Sequence, residues 1–319
     1  MKKNLFIIIS ILLLSSCENK NHLVTGSIHT ELINRNSVYF VLKLHKGAKY
    51  YFTSSAEIIT KLEVENKKVK TVNNATTGLI YEVLQSGPDS VVLKIIYDKI
   101  HIELTNNDEK QVMDASNTGE NQTPLDKVLA DIKGSSIKVT LNKMGKVINV
   151  TGNKEIIDKV LAGLFVYDDE KTKKVIKAQI GKLVGNDFIE STVSLGFNFY
   201  PDSAIKSGQS WSKKTSLTGE IKMDANVKYT LSSIDDGIAK IDIESILASS
   251  GVNKPISIMG QQVEADISQK TIGSLEVDIA TSMLTEGKMK STINGTITVL
   301  NHVVPVEISS KRFISIKKL

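Results

Sequence analysis

The chain has 319 residues, of which 41% are hydrophobic and 24% are charged, and this balance excludes an intrinsically disordered protein. The formal net charge of +5 is small and dispersed along the chain, so the composition predicts no nucleic-acid partner. A chain of this length can bury a sizeable core and suits either about two domains or one large β-rich domain.

The N-terminus has the order of residues that is typical of a secretory leader. Lys2 and Lys3 form a positive start, and an apolar run follows from Leu5 to Leu14. That run is shorter than the roughly 20 residues that a helix needs to cross a bilayer. We therefore predict a signal peptide over residues 1–16. No later stretch reaches the length of about 18 apolar residues that is typical of a membrane span.

Cys17 is the only cysteine of the chain, and it directly follows Ser15 and Ser16 at the end of the leader. Small residues before such a cysteine resemble the lipobox of bacterial lipoproteins. The resemblance implies that the thiol receives a diacylglycerol, that the leader is cut before Cys17, and that the new amine is acylated by a chain such as palmitate. Two or three acyl chains hold a protein stably on a membrane without spanning it. The alternative is a lone buried cysteine. A single cysteine also predicts no intramolecular disulfide.

Strand patterns dominate the chain after a polar, flexible tether over residues 17–37. Residues 38–152 are predicted to form a first β-rich half with one helix. Ile137, Val139 and Leu141 alternate with polar residues, and similar alternation recurs over 275–279 and 293–299. This period of two predicts antiparallel strands with one solvated face.

One strand region changes phase in a way that predicts curvature. Val91 to Tyr97 place apolar residues at odd positions, whereas Ile100 to Leu104 place them at even positions. A bulge near Asp98–Lys99 would restore the register and bend the sheet. A similar slip separates Val299 from the apolar set that starts at Val304. A plain loop is the alternative at either place.

Helix signals are concentrated in the middle of the chain. Thr123–Pro124 and Gly134 bound an apolar stripe of helical period. Residues 153–196 are predicted to form a helical connector. Within it, residues 154–165 and 175–184 form two helices, and Asp187 with Glu190 forms a capping box that opens a third.

The predicted second β-rich half covers residues 197–319, and it resembles the first half in several segments. Three pairs of segments match in the same order, namely 46–50 with 207–211, 81–95 with 229–243, and 136–139 with 274–277. Duplication is one interpretation, and similarity by β patterning alone is the other. The predicted fold class is α+β and mainly β, with curved antiparallel sheets in two similar halves and a helical segment between them.

Several segments together resemble one known family. They are the lipobox, the strand opening at Gly47 to Tyr50, the segment from Tyr200 to Trp211, and the stretch from Asp278 to Gly287. These features are similar to a domain-of-unknown-function family of lipoproteins that is common in Bacteroidota. The resemblance would cover most of the mature chain. It implies an envelope location and a fold, but it brings no activity, cofactor or catalytic residue.

The search for chemistry identifies no catalytic, cofactor-binding or metal site. The five histidines are dispersed, and His101 alternates with apolar residues as a solvent-facing strand residue does. No G-x-S-x-G elbow or phosphate-binding glycine loop occurs. Three S-x-x-K matches, at 135–138, 203–206 and 210–213, are expected by chance in a chain rich in Ser and Lys. Asp168 to Glu170 suit the start of a helix better than a cation site.

Three interpretations of function remain at this point. The favoured one is a non-enzymatic envelope module that binds a hydrophobic ligand or a protein partner on the concave side of a curved sheet. The second is an envelope hydrolase that uses loop carboxylates such as Asp89, Asp202 or Asp236. The third is a purely structural lipoprotein. In each case we expect a lipid anchor at Cys17 and a location on the periplasmic face of the outer membrane.

Overall fold

The computed structural model describes residues 17–18, 37–64, 67–120, 122–163, 180–181, 183–217, 223–249, 256–258, 261–299 and 302–319. We number its strands and helices in chain order. The strands are β1 (Cys17–Glu18), β2 (Ser37–Val38), β3 (Lys49–Val64), β4 (Lys67–Ser86), β5 (Ser90–Asn106), β6 (Glu109–Asp114), β7 (Ser136–Asn142), β8 (Val147–Thr151), β9 (Ile205–Lys206), β10 (Ser210–Leu217), β11 (Met223–Asp235), β12 (Ile238–Ser249), β13 (Ile256–Ile258), β14 (Gln261–Asp278), β15 (Met283–Val299) and β16 (His302–Lys318). The helices are α1 (Pro124–Ile132), α2 (Asn153–Gly163) and α3 (Asn186–Phe197).

A single antiparallel sheet joins the two β-rich parts of the chain. Its spatial order is β1-β10-β11-β12-β14-β15-β16-β3-β4-β5-β7-β8, with β13 beside β14 and β6 beside β5. In the described residues the sheet is open, with β1 and β8 at its edges, and β2 with β9 forms a separate pair. The junction between the two parts is the pairing of β16 with β3. The predicted fold class, α+β and mainly β with antiparallel strands, is therefore confirmed.

One face of the sheet, here called the inner face, packs against the helices and the segment 38–44. In β12 the odd residues from Ala239 to Leu247 are buried, whereas the even residues between them are exposed. This alternation is the one that a sheet with a single buried face requires. The main core forms where the inner face meets the helices, and Phe52 stacks on Tyr81 there with ring centroids 5.5 Å apart.

Helix α1 begins with the predicted N-cap. The side chain of Thr123 accepts a hydrogen bond from the Asp126 backbone N–H at 3.1 Å, and the Asp126 carboxylate accepts from the Thr123 N–H at 2.9 Å. This reciprocal arrangement is a capping box, with Pro124 at the first helical turn. The prediction of this helix from the Thr-Pro pair is confirmed.

Helix α2 also lies where helical periodicity predicted it, but the start of α3 corrects a prediction. The N-cap residue of α3 is Gly185, and no side-chain cap hydrogen bond is present there. The predicted capping box of Asp187 and Glu190 is therefore wrong. A side chain at position 185 would collide with the carbonyl oxygen of Gly181, which accepts a hydrogen bond from the Gly185 N–H. The close approach of these two glycines sets the start of the helix.

Helix α3 connects distant parts of the sheet, because it contacts the edge strands β1 and β8 and the central strand β15. The helix predicted over 175–184 falls largely outside the described residues, as do Asp168 to Glu170. Within the part of the chain that is described, no helix has both the length and the hydropathy of a membrane span.

The predicted bulge in β5 is confirmed at the predicted residue. Gly78 pairs with Lys99 and Leu79 pairs with Tyr97, so that Asp98 has no partner in β4. The Tyr51 hydroxyl donates a hydrogen bond to the Asp98 carboxylate at 2.7 Å on the outer face. Burial and this hydrogen bond raise the pKa of Tyr51 to about 12. An extra residue on one strand bends the sheet and increases its twist at this point.

The second predicted slip is a hairpin connection and not a bulge. Strand β15 ends at Val299, strand β16 begins at His302, and these two residues pair with each other. Val304 therefore lies on the same face as Ile297, its partner across the hairpin. The loop alternative was the right one here.

The sequence matches between the two parts correspond to equivalent hydrogen bonds. The Gly47 N–H donates to Val83 O at 2.8 Å, and the Gly208 N–H donates to Leu231 O at 2.7 Å. Both glycines have φ of +83°, a value that L side chains rarely adopt. The aromatic residues that follow are also paired alike, Tyr50 with Tyr81 and Trp211 with Tyr229. The two parts thus share the geometry of their opening hairpins, beyond general β patterning.

Candidate functional site

A second apolar cluster lies on the inner face, towards the strand ends that are remote from the helices. We call it the distal cluster. It is formed by side chains of five strands, each no more than 9% exposed: Ile58, Leu62, Leu247, Ile267, Ile293, Val306 and Ile308. It is separate from the main core. The inner face therefore carries apolar side chains well beyond the part that covers the helices.

A row of polar side chains crosses the inner face between the main core and the distal cluster. The register pairs Ser245 with Thr271, Thr271 with Ser291, and Ser291 with Ser310. These four hydroxyls thus lie on four adjacent strands, with roughly 5 Å between neighbouring Cβ atoms. The Thr271 and Ser291 hydroxyls are 2.7 Å apart, within hydrogen-bond distance.

Two cations lie on the same face next to this row. Lys213 in β10 pairs with Val227, which in turn pairs with Ser245, so Lys213 extends the row at one end. Arg312 follows Ser310 by two residues in β16 and faces the same side. We call Lys213, Ser245, Thr271, Ser291, Ser310 and Arg312 together the polar belt.

Lys213 is held in an environment that opposes its charge. Its side chain is only 11% exposed, and its ion pair among the described residues is a long contact of 3.8 Å to the exposed carboxylate of Asp202. Burial lowers the pKa of Lys213 below its ordinary value, and the Asp202 carboxylate offsets only part of that effect. Burying this cation costs desolvation energy, which its attraction to Asp202 offsets only in part.

Solvent reaches the inner face at the polar belt. Thr271, Ser291 and Ser310 are partly exposed although they point inward. Inward-facing Ile314 on the helix side and Ile308 on the distal side are both buried. Partial exposure therefore returns at the belt, where the inner face opens to solvent, as it does again at Ile297 and Val304 beyond the distal cluster.

Some inward hydroxyls are fully buried without hydrogen bonds to described residues. The Oγ atom of Ser245 is one, in a residue that is 4% exposed, and the Oγ1 atom of Thr60 is another. A buried hydroxyl without a partner costs about 1–3 kcal/mol. Such groups in a native protein commonly bind ordered water or a ligand.

The outer face has a groove of about 820 Å³ across six neighbouring strands from β12 to β4. On each of several strands it is lined by two outward neighbours, for example Ser55 with Glu57 and Lys311 with Phe313. Lys311 pairs with Glu57 at 3.3 Å, and Lys288 pairs with Glu286 at 2.5 Å. These ion pairs neutralise Lys311 and Lys288, whereas Lys290 also lines the groove.

His101 lies on the outer face of β5, partly exposed, as its alternation predicted. Its Nδ1 atom is 2.7 Å from the Asp114 carboxylate and its Nε2 atom is 3.5 Å from Glu103. Burial raises the pKa of Asp114, but hydrogen bonds from Ser116 and His101 outweigh it and lower the pKa below its ordinary value. No hydroxyl of a described residue is hydrogen-bonded to His101. The described residues also include no group of three or more His, Cys, Asp or Glu side chains that could hold a metal ion.

Apart from Asp202, the residues singled out from sequence lie away from the polar belt. Cys17 is in β1, where it pairs with Leu217 at the edge of the sheet. Asp89 and Asp236 lie in the hairpin turns before β5 and β12, and Asp236 has a positive φ of 49°. Asp202 contacts Lys213. The three loop carboxylates thus lie at three different places in the fold.

Sequence analysis missed the polar belt, although a signal for it exists. In β16, Ser310 and Arg312 occupy the same parity as Ile308, Ile314 and Ile316. A charged residue at an apolar parity marks an inward-facing polar group. In β10, Lys213 has the parity of Trp211 and gives the same signal.

Comparisons with known proteins identify a family but no function. A family model described as "Family of unknown function (DUF6263)" matches residues 88–284. No curated protein matches the chain. Among solved structures, the chain is similar to one described as "Lipid-protein interactions in lipovitellin", with a TM-score of 0.48 and 6% identity. That similarity covers 86% of this chain and 25% of the other, so the chain spans a quarter of its length.

Two further structures have much lower scores. The COG4313 outer membrane channel from Pseudomonas putida F1 has a TM-score of 0.21 and 8% identity, over 86% of this chain and 97% of that chain. OccK5 (OpdH) from Pseudomonas aeruginosa has a TM-score of 0.23 and 7% identity, over 86% and 98%. At these scores and identities the similarities carry no information about function.

Proposed function

We propose that this chain, which belongs to a family of unknown function (DUF6263), is a lipid-anchored protein of the bacterial cell envelope that binds a hydrophobic ligand on the inner face of its sheet. The observation that carries the proposal is the opening at the polar belt, between the main core and the distal cluster. Apolar surface gains about 25 cal/mol per Å² removed from water, and the partly exposed Met289 and Ile297 offer such surface on the inner face. The proposed role is binding and not catalysis.

The arrangement of the polar belt supports a binding role. Its hydroxyls and cations are spread over several strands, and Lys213 and Ser245 are separated by one intervening strand. The spacing from β10 to β12 is therefore about 10 Å, which is too far for a hydrogen bond between a nucleophile and a base. The belt can therefore orient a polar group of a ligand but offers no activated nucleophile from this pair.

Lipidation of Cys17 would bring the opening close to a membrane. Cys17 pairs with Leu217, which lies four residues beyond Lys213 in β10. That separation is about 13 Å along an extended strand. A lipid anchor there supports the exchange of an apolar ligand with the membrane. We propose the periplasmic face of the outer membrane as the location.

Replacing Cys17 tests the anchor. The variant Cys17→Ser is expected to move the protein from the membrane fraction to the soluble fraction and to abolish incorporation of labelled palmitate, because serine has no thiol to receive the diacylglycerol. Fractionation and fluorography of the full chain, expressed in a bacterial envelope, measure both effects. Ser16→Ala, which keeps a small residue before the cysteine, is the control and should stay in the membrane. Retention of Cys17→Ser on the membrane would refute the anchor.

Bound ligand can be measured by native mass spectrometry and by solvent extraction of the purified full chain. We expect a noncovalent apolar molecule in the wild type and its loss in Ser291→Trp, which fills the opening at the polar belt. Thr292→Trp places the same side chain on the exposed outer face of the same strand and should retain the ligand. Wild-type protein that is free of apolar molecules, or equal retention by both variants, would show that the inner face does not serve this purpose.

A further inference from the structure

Three lysines meet in the groove on the outer face, and one of them has no counter-ion. Lys290 in β15 pairs directly with Lys311 in β16, and Lys288 lies two residues before Lys290 on the same face. Like charges placed directly opposite each other destabilise a sheet. Glu286 and Glu57 form ion pairs with Lys288 and Lys311, but among the described residues no carboxylate pairs with Lys290. The centre of the groove is therefore positively charged.

The three lysines are close enough together to bind one anionic group. Residues directly opposite each other in an antiparallel pair have Cβ atoms about 5 Å apart, and diagonal neighbours are about 7–8 Å apart. Lys290 and Lys311 are opposite, and Lys288 is the diagonal neighbour of Lys311. Ion pairs between exposed side chains are weak, so Lys288 and Lys311 can exchange their glutamates for a bound anion.

The rest of the groove combines exposed apolar surface with hydrogen-bonding side chains. Phe313 is 38% exposed and Ile272 is 49% exposed. The Lys288 Nζ atom lies 5.9 Å from the centre of the Phe313 ring, so a cation and an aromatic ring adjoin. The hydrogen-bonding side chains are Asp242 and Ser274 on one side of the lysines and Ser55, Thr76 and Asn74 on the other. This mixture suits sugar rings, whose C–H faces pack on aromatic rings while their hydroxyls exchange hydrogen bonds with polar side chains.

The direction of the groove limits the kind of ligand that it can bind. The groove crosses six strands from β12 to β4, and each of them is paired with a neighbour on both sides. A peptide that binds by adding a strand needs an unpaired edge, which the groove does not offer. Recognition must therefore use side chains, and an extended ligand would cross five strand spacings, or about 24 Å.

We infer that the groove binds an acidic polysaccharide, which places one carboxylate or phosphate group among Lys288, Lys290 and Lys311. Hydrogen bonds from ammonium groups to anionic oxygens are about twice as strong as those between neutral groups, so the acid group fixes the position of the chain. The neighbouring sugar rings then lie along the groove on either side of the lysines. This site is on the face opposite the proposed apolar site and does not depend on the proposed function.

Isothermal titration calorimetry of the full-length Cys17→Ser protein tests the inference with four probes, namely hexagalacturonate, maltohexaose with one phosphate, unmodified maltohexaose and hexa-aspartate. We expect at least one of the two acidic sugars to bind at least about tenfold more tightly than maltohexaose and hexa-aspartate. The salt concentration is about 0.15 M, at which charges more than about 8 Å away are largely screened. Comparison of the two acidic sugars distinguishes a carboxylate from a phosphate.

Lys290→Gln should weaken binding of the acidic sugar about tenfold, because it removes the cation that has no counter-ion. It should melt no lower than the wild type, since it also removes a like-charge pair. Lys99→Gln is the matched control, because Lys99 is exposed on the outer face of β5 and lies outside the groove. It makes the same change of net charge and should keep the wild-type affinity. Phe313→Ala, a second variant in the groove, should also weaken binding of the acidic sugar.

Three results would show that the inference is wrong. The first is that neither acidic sugar binds, or that maltohexaose binds as tightly as they do. The second is that hexa-aspartate binds as tightly as the acidic sugars, because the groove would then recognise an acidic peptide. The third is that Lys290→Gln and Phe313→Ala, both folded by circular dichroism, keep the wild-type affinity. None of these results affects the test of the inner face with Ser291→Trp.

Discussion

Phe52→Ala is expected to lower the free energy of unfolding by about 3–5 kcal/mol, the range found for truncation of large buried side chains. Phe52 is 0% exposed and stacks on Tyr81, which is 1% exposed and contacts the Phe197 ring of α3. Truncation therefore leaves a cavity where the sheet meets the helix that contacts both of its edges. Urea unfolding monitored by circular dichroism measures the change.

Phe313→Ala is the control for Phe52→Ala. Phe313 lies on the outer face of β16 and is 38% exposed, so the same truncation should change the free energy of unfolding by no more than about 0.5 kcal/mol. Equal losses in the two variants would contradict the assignment of inner and outer faces. An unchanged midpoint for Phe52→Ala would show that the main core does not require this ring.

Asp126→Asn is expected to lower the free energy of unfolding by about 3 kcal/mol at pH 7. It replaces a buried carboxylate, which accepts several hydrogen bonds, by an amide. Asp126 is 1% exposed. Its two oxygens accept hydrogen bonds from the backbone N–H groups of Asp114 and Thr123, the Thr123 hydroxyl and the Asn117 amide. An asparagine amide would direct its own N–H donors at some of these donors.

The cost of Asp126→Asn should depend on pH in a defined direction. Burial alone raises the pKa of Asp126, but the hydrogen bonds together lower it below the ordinary value of 3.8. A carboxyl whose pKa is lowered by folding stabilises the protein above its unfolded pKa and loses that contribution as pH falls through the folded value. The difference between wild type and variant should therefore be full at pH 7 and shrink below about pH 4.

Asp131→Asn is the matched control in the same helix. Asp131 accepts hydrogen bonds from Lys159 and Ser135 through its backbone carbonyl, which the substitution leaves in place. Its unfolding free energy should match that of the wild type to within about 0.5 kcal/mol at both pH values. A cost of Asp126→Asn that stays constant from pH 7 to pH 3 would contradict the role of its charge.

Local features of this fold were predictable from sequence because they depend on neighbouring residues. The parity change after Tyr97 located the bulge at Asp98, and Thr123 with Pro124 located the start of α1. The start of α3 was predicted wrongly although it is also local, because its N-cap residue is Gly185, which has no side chain to mark a cap. The pairing of β16 with β3 likewise cannot be predicted from the periodicity of the sequence, which does not show which strands are neighbours.

The candidate site was predictable only in part. The alternation of apolar residues indicated that the sheet has one dry face, and the bulge indicated that it curves. The polar belt was missed because Lys213 interrupts the apolar parity in β10 and Ser310 with Arg312 interrupts it in β16, and these strands are far apart in sequence. Only the register of β12, β14, β15 and β16 shows that their hydroxyls form one row.

The junction of β3 with β16 has a consequence for the order of folding. Most other neighbours in the sheet are joined by short hairpins, whereas Lys61 and Glu307 meet across this junction from 246 positions apart. Closing so large a loop is entropically costly. The junction of β3 with β16 should therefore form late, after the hairpins on either side. Until it closes, two long strands expose unpaired backbone that can recruit a neighbouring molecule. A chain in which this junction has not yet closed is therefore most prone to aggregate there.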